Sequence, residues 1–478
     1  VLRAAVAAES AGIPSVSILC EGFDGQGSAT GRGHGYDGMA LAMTVGHVDA
    51  QSTEVMVGNF VDHTVDAVIA GLTGRNRVGG AVNWSEDSNS APAKPPDPAA
   101  LDTVATGTID EISWLFVERG WSDGSPVIPP TRERVESFLA VTGHDPWKCL
   151  GVAPSSGRDV TVWSIAVNAV MAGCRPEHLP VLLAAAEILV DPRYGSEHSG
   201  NTTGADALMI VNGPSAAGLG FNSGPGAMRE GAQANTSIGR WLRLYQRNVL
   251  GFTTDQHDRA TFGNSTRVVL AEDHETLVDI SWQPLSAAFG FGPDDNTLTM
   301  ARFNSGLIIG SVFGSTPEEV IPYLANGLTR VTGWDLTHVY GLGHDQYQPL
   351  LVLSPVLART FARAGWSKAD VQRALFRHAR IPARVFEAMI GEWSNLTAGR
   401  RRLVDLVAEG ELPEVFAQSS DPDRLVPIVG RAERFMVAVA GDPNRTNAYV
   451  LANDGPHGWW TTKPIDLSFS SDLVCRIP

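Results

Sequence analysis

Ala4-Ala5-Val6-Ala7-Ala8-Glu9-Ser10-Ala11-Gly12-Ile13-Pro14-Ser15-Val16-Ser17-Ile18-Leu19 is the stretch that decides the fold class. The alanine-rich run favours helix, Gly12 suits the left-handed turn that ends one, and Pro14 cannot continue it. Residues 15–19 then read as a strand. Helix, Gly-Ile-Pro and strand together form half of an α/β unit. Working outward, a Gly-rich stretch over 22–38 predicts a long loop. A helix follows over 53–72, where Val55, Val57, Phe60, Val61, Val65, Val68 and Ile69 recur near helical spacing. Residues 1–80 are therefore expected to be a partial, Rossmann-like α/β domain. Residues 81–106 are polar and rich in Pro and Ala, the composition of a linker.

Beyond the linker, two segments look alike. Gly173-Cys174-Arg175-Pro176-Glu177 and Gly314-Ser315-Thr316-Pro317-Glu318 each open a helix, at an offset of 314 − 173 = 141 residues. The same offset carries the apolar residues 209–211 onto 350–352, and Pro214 onto Pro355. These matches predict a tandemly duplicated α+β module, with halves at 107–287 and 288–478. The fold class expected is α/β throughout. Sites often lie where such halves meet.

The chain has 478 residues, of which 43% are hydrophobic and only 18% charged, and a formal charge of −16. An acidic balance argues against nucleic acid as a general partner, because phosphate neutralisation needs basic surface. Four scattered cysteines, Cys20, Cys149, Cys174 and Cys475, argue against a disulfide scaffold and for a reducing compartment, the cytoplasm. No apolar stretch reaches the roughly 20 residues that span a bilayer, so no membrane partner is expected.

The candidate chemistry lies in loops. Asn201-Thr202-Thr203-Gly204 precedes the apolar run 207–211. Gly220-Phe221-Asn222-Ser223-Gly224 and Asn235-Thr236-Ser237 follow it, the latter opening a helix with Arg240 and Arg243 on one face. Amide and hydroxyl residues at a helix start, with two arginines three apart, suit a small anion or carboxylate. The same residues also read as turns, caps and solvated arginines. Expected substrate-binding residues are thus Asn201, Thr202, Thr203, Asn222, Ser223, Asn235, Arg240 and Arg243. Cys174 precedes a helix, a place that lowers a thiol pKa, with His178 one turn on; it also reads as a small buried residue. His344, just before the run 350–353, is the preferred general base and is expected near the 201–204 loop. His257 and His457 are the other loop histidines. Gly33-His34-Gly35-Tyr36-Asp37-Gly38 has the GxGxxG form but lacks a strand directly before it, so a subunit-contact loop or lid is the expectation. His34, His47 and His63 match no metal-ligand spacing, so no metal ligand is assigned and the cofactor is left unknown.

Residues 7–18, quoted above, resemble the second half of the small α/β domain in proteins with a Sec/Cys-Gly-Ser-Cys motif, the UGSC-like proteins. They also resemble the selenoprotein subunit of glycine reductase component B. Asp123-Gly124-Ser125-Pro126-Val127-Ile128-Pro129-Pro130-Thr131, the run 168–180, Val211-Asn212-Gly213-Pro214 and Ala364-Gly365-Trp366-Ser367-Lys368 resemble the large module that often accompanies that domain. The resemblance implies thiol- or selenol-linked redox or bond-cleaving activity. The family's redox motif would lie just before Val1. The implied nucleophile would then come from an upstream segment or a partner subunit that also completes residues 1–80. Three functional expectations follow. One is a thiol-linked oxidoreductase or lyase acting on a small carboxylated molecule. Another is a non-redox hydrolase or lyase using the loop histidines, and the third is a non-catalytic partner subunit. An oligomer is expected in each case.

Overall fold

The computed structural model describes residues 2–33, 36, 38–46, 51–74, 101–254, 257–264, 268–340, 345–393 and 402–468. The expected linker lies largely outside these residues, as do His344, His34 and His47. In the N-terminal unit, helix Leu2–Ser10 turns at Gly12, with φ of +75°, into strand β1, Ser17–Cys20. Strand β2, Leu41–Thr44, pairs parallel with it, Ser17 opposite Leu41 and Cys20 opposite Thr44. The expected loop over 22–38 is corrected in part: Asp24–Gly33 is helical. Glycine disfavours helix by propensity, yet here it permits close packing. A Cβ at Gly27 would collide with Leu19, and one at Gly31 would stand 3.0 Å from the Met39 sulfur. Helical residues then continue from Thr53 through a π-helical turn, Phe60–Thr64, to Leu72. Among the described residues this one helix, Glu54–Leu72, is long and apolar enough by length and composition to cross a membrane. The expectation of no such stretch is corrected to that extent. The helix nonetheless carries Asp62, His63 and Asp66 within it.

The larger part is built on one mixed sheet flanked by helices, an α/β architecture. In chain order its neighbourhood runs β3 (Cys149–Val152), β4 (Asp159–Thr161), β5 (Asp206–Asn212), β6 (Leu270–Ala271), β7 (Thr297–Ile309), β8 (Leu350–Leu353), β9 (Arg380–Pro382), β10 (Leu425–Pro427), β11 (Met436–Val439), β12 (Ala448–Asn453) and β13 (Thr461–Pro464). The main sheet has the order β11-β8-β12-β7-β5-β6, with β13 also on β7. Strands β5, β8 and β11 are nearly continuous apolar runs because both their faces are buried. Leu208, Ile210, Leu270, Ala301, Phe303, Leu350, Val352, Met436, Ala438 and Leu451 share the inner face. Their alternate neighbours face outward. Met209, Val211 and Met300 pack on helices Val162–Ala172, Leu179–Val190 and Gln233–Asn248. Leu351, Val437 and Val450 pack on helices Pro317–Val331, Pro355–Arg363 and Lys368–His378. Each fully buried Leu, Ile or Val stabilises the fold by about 1.5–3 kcal/mol.

The sheet curls until its two edges meet. Asp273, just past β6, donates its amide to the Val439 carbonyl of β11 at 2.7 Å, and the Val439 amide donates to the Glu272 carboxylate at 3.0 Å. Joining the edges removes exposed ladder groups. The strand order is also symmetric about its centre. Read from either edge, a parallel pair (β6 with β5, β11 with β8) is followed by an antiparallel strand, β7 or β12, and these two pair with each other.

Candidate functional site

The centre of that symmetric order is where chemistry collects. Asn453, the last residue of β12, pairs with Phe303 of β7, and the next amide, that of Asp454, donates to the Arg302 carbonyl at 2.8 Å. The chain then enters a 3-10 turn, Gly455–Gly458, started by Pro456. Asp454 is completely buried. Its Oδ2 accepts from the Asn201 side-chain amide at 2.6 Å, whereas its Oδ1 has no hydrogen-bond partner and lies 3.9 Å from His457 Nδ1. His338 ends another 3-10 turn, Trp334–His338, and is buried with its ring edge-on to that of His457, centroids 5.6 Å apart. A third turn, Ser196–His198, brings the His198 ring within 5.0 Å of His457. His457 alone of the triad His338, Asp454 and His457 reaches solvent, with a quarter of its side chain exposed.

Two groups set the electrostatics. Asp335 is buried and its carboxyl is pushed up to about 7. Burial is the main cause, and the nearby Asp454 charge acts in the same direction. Hydrogen bonds from the Asn304 side chain at 2.6 Å and the Gly333 amide at 3.2 Å oppose the rise. Arg302 is equally buried. Its guanidinium donates to Ser199 Oγ at 2.6 Å and the Gly195 carbonyl at 2.9 Å, and stacks over Tyr194. Arg302 thereby pins the 195–201 loop to β7. Asn201 is aimed by an Asx-type turn, its Oδ1 accepting from the Thr203 hydroxyl and from the amides of Gly204 and Ala205. A carboxylic acid poised near neutrality on the same turn as His338 is equipped for proton transfer. Two histidines and a carboxylate are also a ligand set for a transition metal.

The structure separates the expected site residues. Asn201 joins the centre directly. Thr203 borders it through a 3.4 Å hydroxyl contact to Asn304. The Thr202 carbonyl accepts from the Thr261 amide, and the Gly200 carbonyl from that of Arg259, so the loop bearing His257 packs on the same segment. The His257 carbonyl crowds Gly200 so closely that no Cβ fits there.

Cys174 corrects the thiolate expectation: its thiol is buried and burial pushes it up to about 12, outweighing the Ser237 hydrogen bond and the Arg240 charge. His178, its expected activator, is held down at about 4 by burial. Its Nδ1 accepts from the Arg175 amide and its Nε2 faces the Leu219 carbonyl at 3.2 Å, so it is a neutral packing group.

Arg240 and Arg243 do not hold an open anion site. Arg240 grips Asp123 with two 3.0 Å bonds and donates to the carbonyls of Ser125 and Pro126. Burial raises the Asp123 carboxyl, but Arg240 together with backbone amides such as that of Ser125 outweighs that and keeps it below its usual range. Arg243 pairs with the buried Asp206 and donates to the Asn264 carbonyl. Asn235 is buried and bonds Asn222 and the Val269 carbonyl, Asn222 caps its own turn at Gly224 and Pro225, and the Ser223 carbonyl accepts from the Gly441 amide. These residues are structural pins.

Sequence reasoning missed His338, Asp454, Asp335 and His198. A signal existed: Glu197 and His338 are separated by 338 − 197 = 141 residues, the same offset that relates the two similar helix starts at Gly173 and Gly314.

No curated protein matches the chain. Residues 1–74 match the model of the UGSC family, so the N-terminal unit is UGSC-like.

Proposed function

We propose that this protein is a bond-cleaving enzyme, of hydrolase or lyase type, acting on a small polar molecule at the centre formed by His338, Asp454 and His457. One observation carries the reading: three turns far apart in sequence, ending at His198, His338 and Gly458, deliver imidazoles and a buried carboxylate to one place. A fold has no packing reason to bury Asp454 with one oxygen unpaired, because that costs about 1–3 kcal/mol. His457, the partly exposed member, serves as general base toward solvent or substrate. Asp335 carries a proton near neutrality and limits the negative charge beside Asp454. We further propose that residues 107–478 arose by tandem duplication, supported by the symmetric strand order and by helix ends at Val190 and Val331, again 331 − 190 = 141 apart. On that reading the repeat boundary follows Ile309, since β7 completes the first unit as β12 completes the second.

The test is a panel of small amides, esters, hydroxy acids and amino acids incubated with the full chain and followed by proton NMR. His457→Gln should lower turnover at least about 100-fold, in line with losing a general base. Equal turnover in that variant would sink the assignment.

A second reading keeps thiol- or selenol-linked chemistry, supplied through the UGSC-like unit by an upstream segment or a cytoplasmic partner subunit in an oligomer. Its support is a contact: the Arg259 guanidinium lies over the Phe23 ring, 5.9 Å from its centroid, while the Arg259 amide holds Gly200 one residue from Asn201. Turnover that appears only with an added thiol, or a second chain in the intact mass of natively purified protein, would favour it.

A further inference from the structure

His338, Asp454 and His457 each offer one ligand atom, and the three atoms lie within 4.8 Å of one another. A divalent ion bonded at about 2.0–2.2 Å to imidazole nitrogen and carboxylate oxygen holds tetrahedral ligands about 3.4 Å apart. Small side-chain rotations close that difference. Asp454 Oδ1 is buried with no hydrogen-bond partner and faces His457, so it is the acceptor a cation would satisfy. The other oxygen is fixed by Asn201, the kind of outer support that orients a carboxylate ligand. The backbone also closes on the first imidazole. A Cβ at Gly455, where φ is +54°, would stand 2.5 Å from His338 Cγ, so that ring is held in place.

Ligand chemistry selects the ion. Two imidazoles and one carboxylate favour zinc, iron, cobalt or manganese over magnesium and calcium, which prefer all-oxygen shells. We propose, resting on the reading of this centre as the reactive site, that His338, Asp454 and His457 bind one divalent transition-metal ion and leave at least one position for water or substrate. His198 stands beside this set, its ring centroid 5.0 Å from that of His457. The ion would act as a Lewis acid on a bound carbonyl or lower the pKa of a bound water. With His457 held as a ligand, that water would be the base toward substrate, and His457 itself would be the base only in the metal-free centre.

The experiment uses the full chain, stripped with a chelator and titrated with cobalt(II) while visible absorption is recorded. Zinc stoichiometry is measured in parallel by elemental analysis after gel filtration. One equivalent of metal and a ligand-field band in the visible are expected. His457→Gln, at a partly exposed position, and Asp454→Asn should each weaken cobalt affinity at least about tenfold. The surface variant His378→Ala should match the parent. Circular dichroism identifies folded variants, and His457→Gln keeps the test decisive if Asp454→Asn does not fold. Binding of less than a tenth of an equivalent, or unchanged affinity in folded His457→Gln, overturns the proposal. Metal bound without turnover on any panel member upholds the metal site and counts against the enzyme reading. Full turnover by stripped protein removes the ion from the reaction and leaves the acid–base reading standing, while the site itself is decided by the titration.

Discussion

Glu272 is fully buried at the point where the sheet edges meet, and its carboxylate accepts from four donors on four segments. Oε1 receives the Lys368 ammonium at 2.7 Å and the Val439 amide at 3.0 Å, and Oε2 receives the Leu285 amide at 2.7 Å and the Asn212 side chain at 2.5 Å. Lys368 is itself mostly buried; burial lowers its pKa, and Glu272 acts in the opposite sense to hold it charged. Glu272→Gln keeps the volume but strands that ammonium in a low-dielectric interior. Removing one member of such a pair costs about 3–5 kcal/mol, whereas replacing both by apolar groups is often close to neutral. Glu272→Gln should therefore lose about 3 kcal/mol or more, and Glu272→Gln with Lys368→Met should recover at least about 1 kcal/mol of it. The assay is urea unfolding followed by tryptophan fluorescence, with buried Trp460 and Trp241 reporting on the inner and outer cores. With a urea slope of about 3 kcal/mol per molar, the single variant should move the midpoint down by about 1 M. A loss under about 1 kcal/mol, or a double variant no better than the single, would refute the claim that this carboxylate joins the sheet edges.

Three other outcomes are expected. His178 is held down at about 4 against an ordinary value of 6.5, so between those pH values the unfolded chain binds more protons than the folded one. Stability should fall by about 3 kcal/mol as pH drops from about 6.5 to about 4, and pH-dependent melting of His178→Gln should show a shallower decline. Cys174 should resist iodoacetamide at pH 8 in the folded protein and react on unfolding, because its thiol is buried and pushed up to about 12; mass spectrometry of the labelled peptide would expose any error. Gly455→Ala should destabilise the chain by about 1–3 kcal/mol through the positive φ and the collision with His338, and weaken cobalt binding; an unchanged melting temperature would contradict that packing.

What could be read from sequence and what could not divide along a physical line. Local rules worked where the neighbours along the chain decide the outcome. Gly12 and Pro14 placed the first turn, and the apolar run 207–211 lies within strand Asp206–Asn212, which is buried throughout. The 141-residue offset is also a local comparison, and the helix ends at Val190 and Val331 keep the same offset, which supports the duplication proposed above. Partner identity obeys no such rule. Arg240 and Arg243 do sit on one face of helix Gln233–Asn248, as their spacing implies, but spacing cannot say that Asp123 and Asp206 wait opposite them. Cys174 failed for a related reason, since its position before a helix was visible and its burial was not.

The centre itself shows the limit most sharply. His338 and Asp454 are 454 − 338 = 116 residues apart, and they meet because the turn Trp334–His338 packs against the turn Gly455–Gly458, which leaves β12 beside β7. A histidine search by local motif favoured His344, six residues away on the same connection, because a loop before a strand suits a base. The 141-residue comparison held better information. It sets Glu197 against His338, on two turns that each follow a helix ending at the same offset; under the duplication proposed above, this pair is where the halves differ at the proposed centre. If that comparison is right, restoring symmetry should be destructive: Glu197→His adds an imidazole to a turn already pinned by Arg302, and should disturb cobalt binding at His457 without touching any of its three ligands. Cobalt spectra identical to the parent's would show that the two turns, though matched in position, do not share a site.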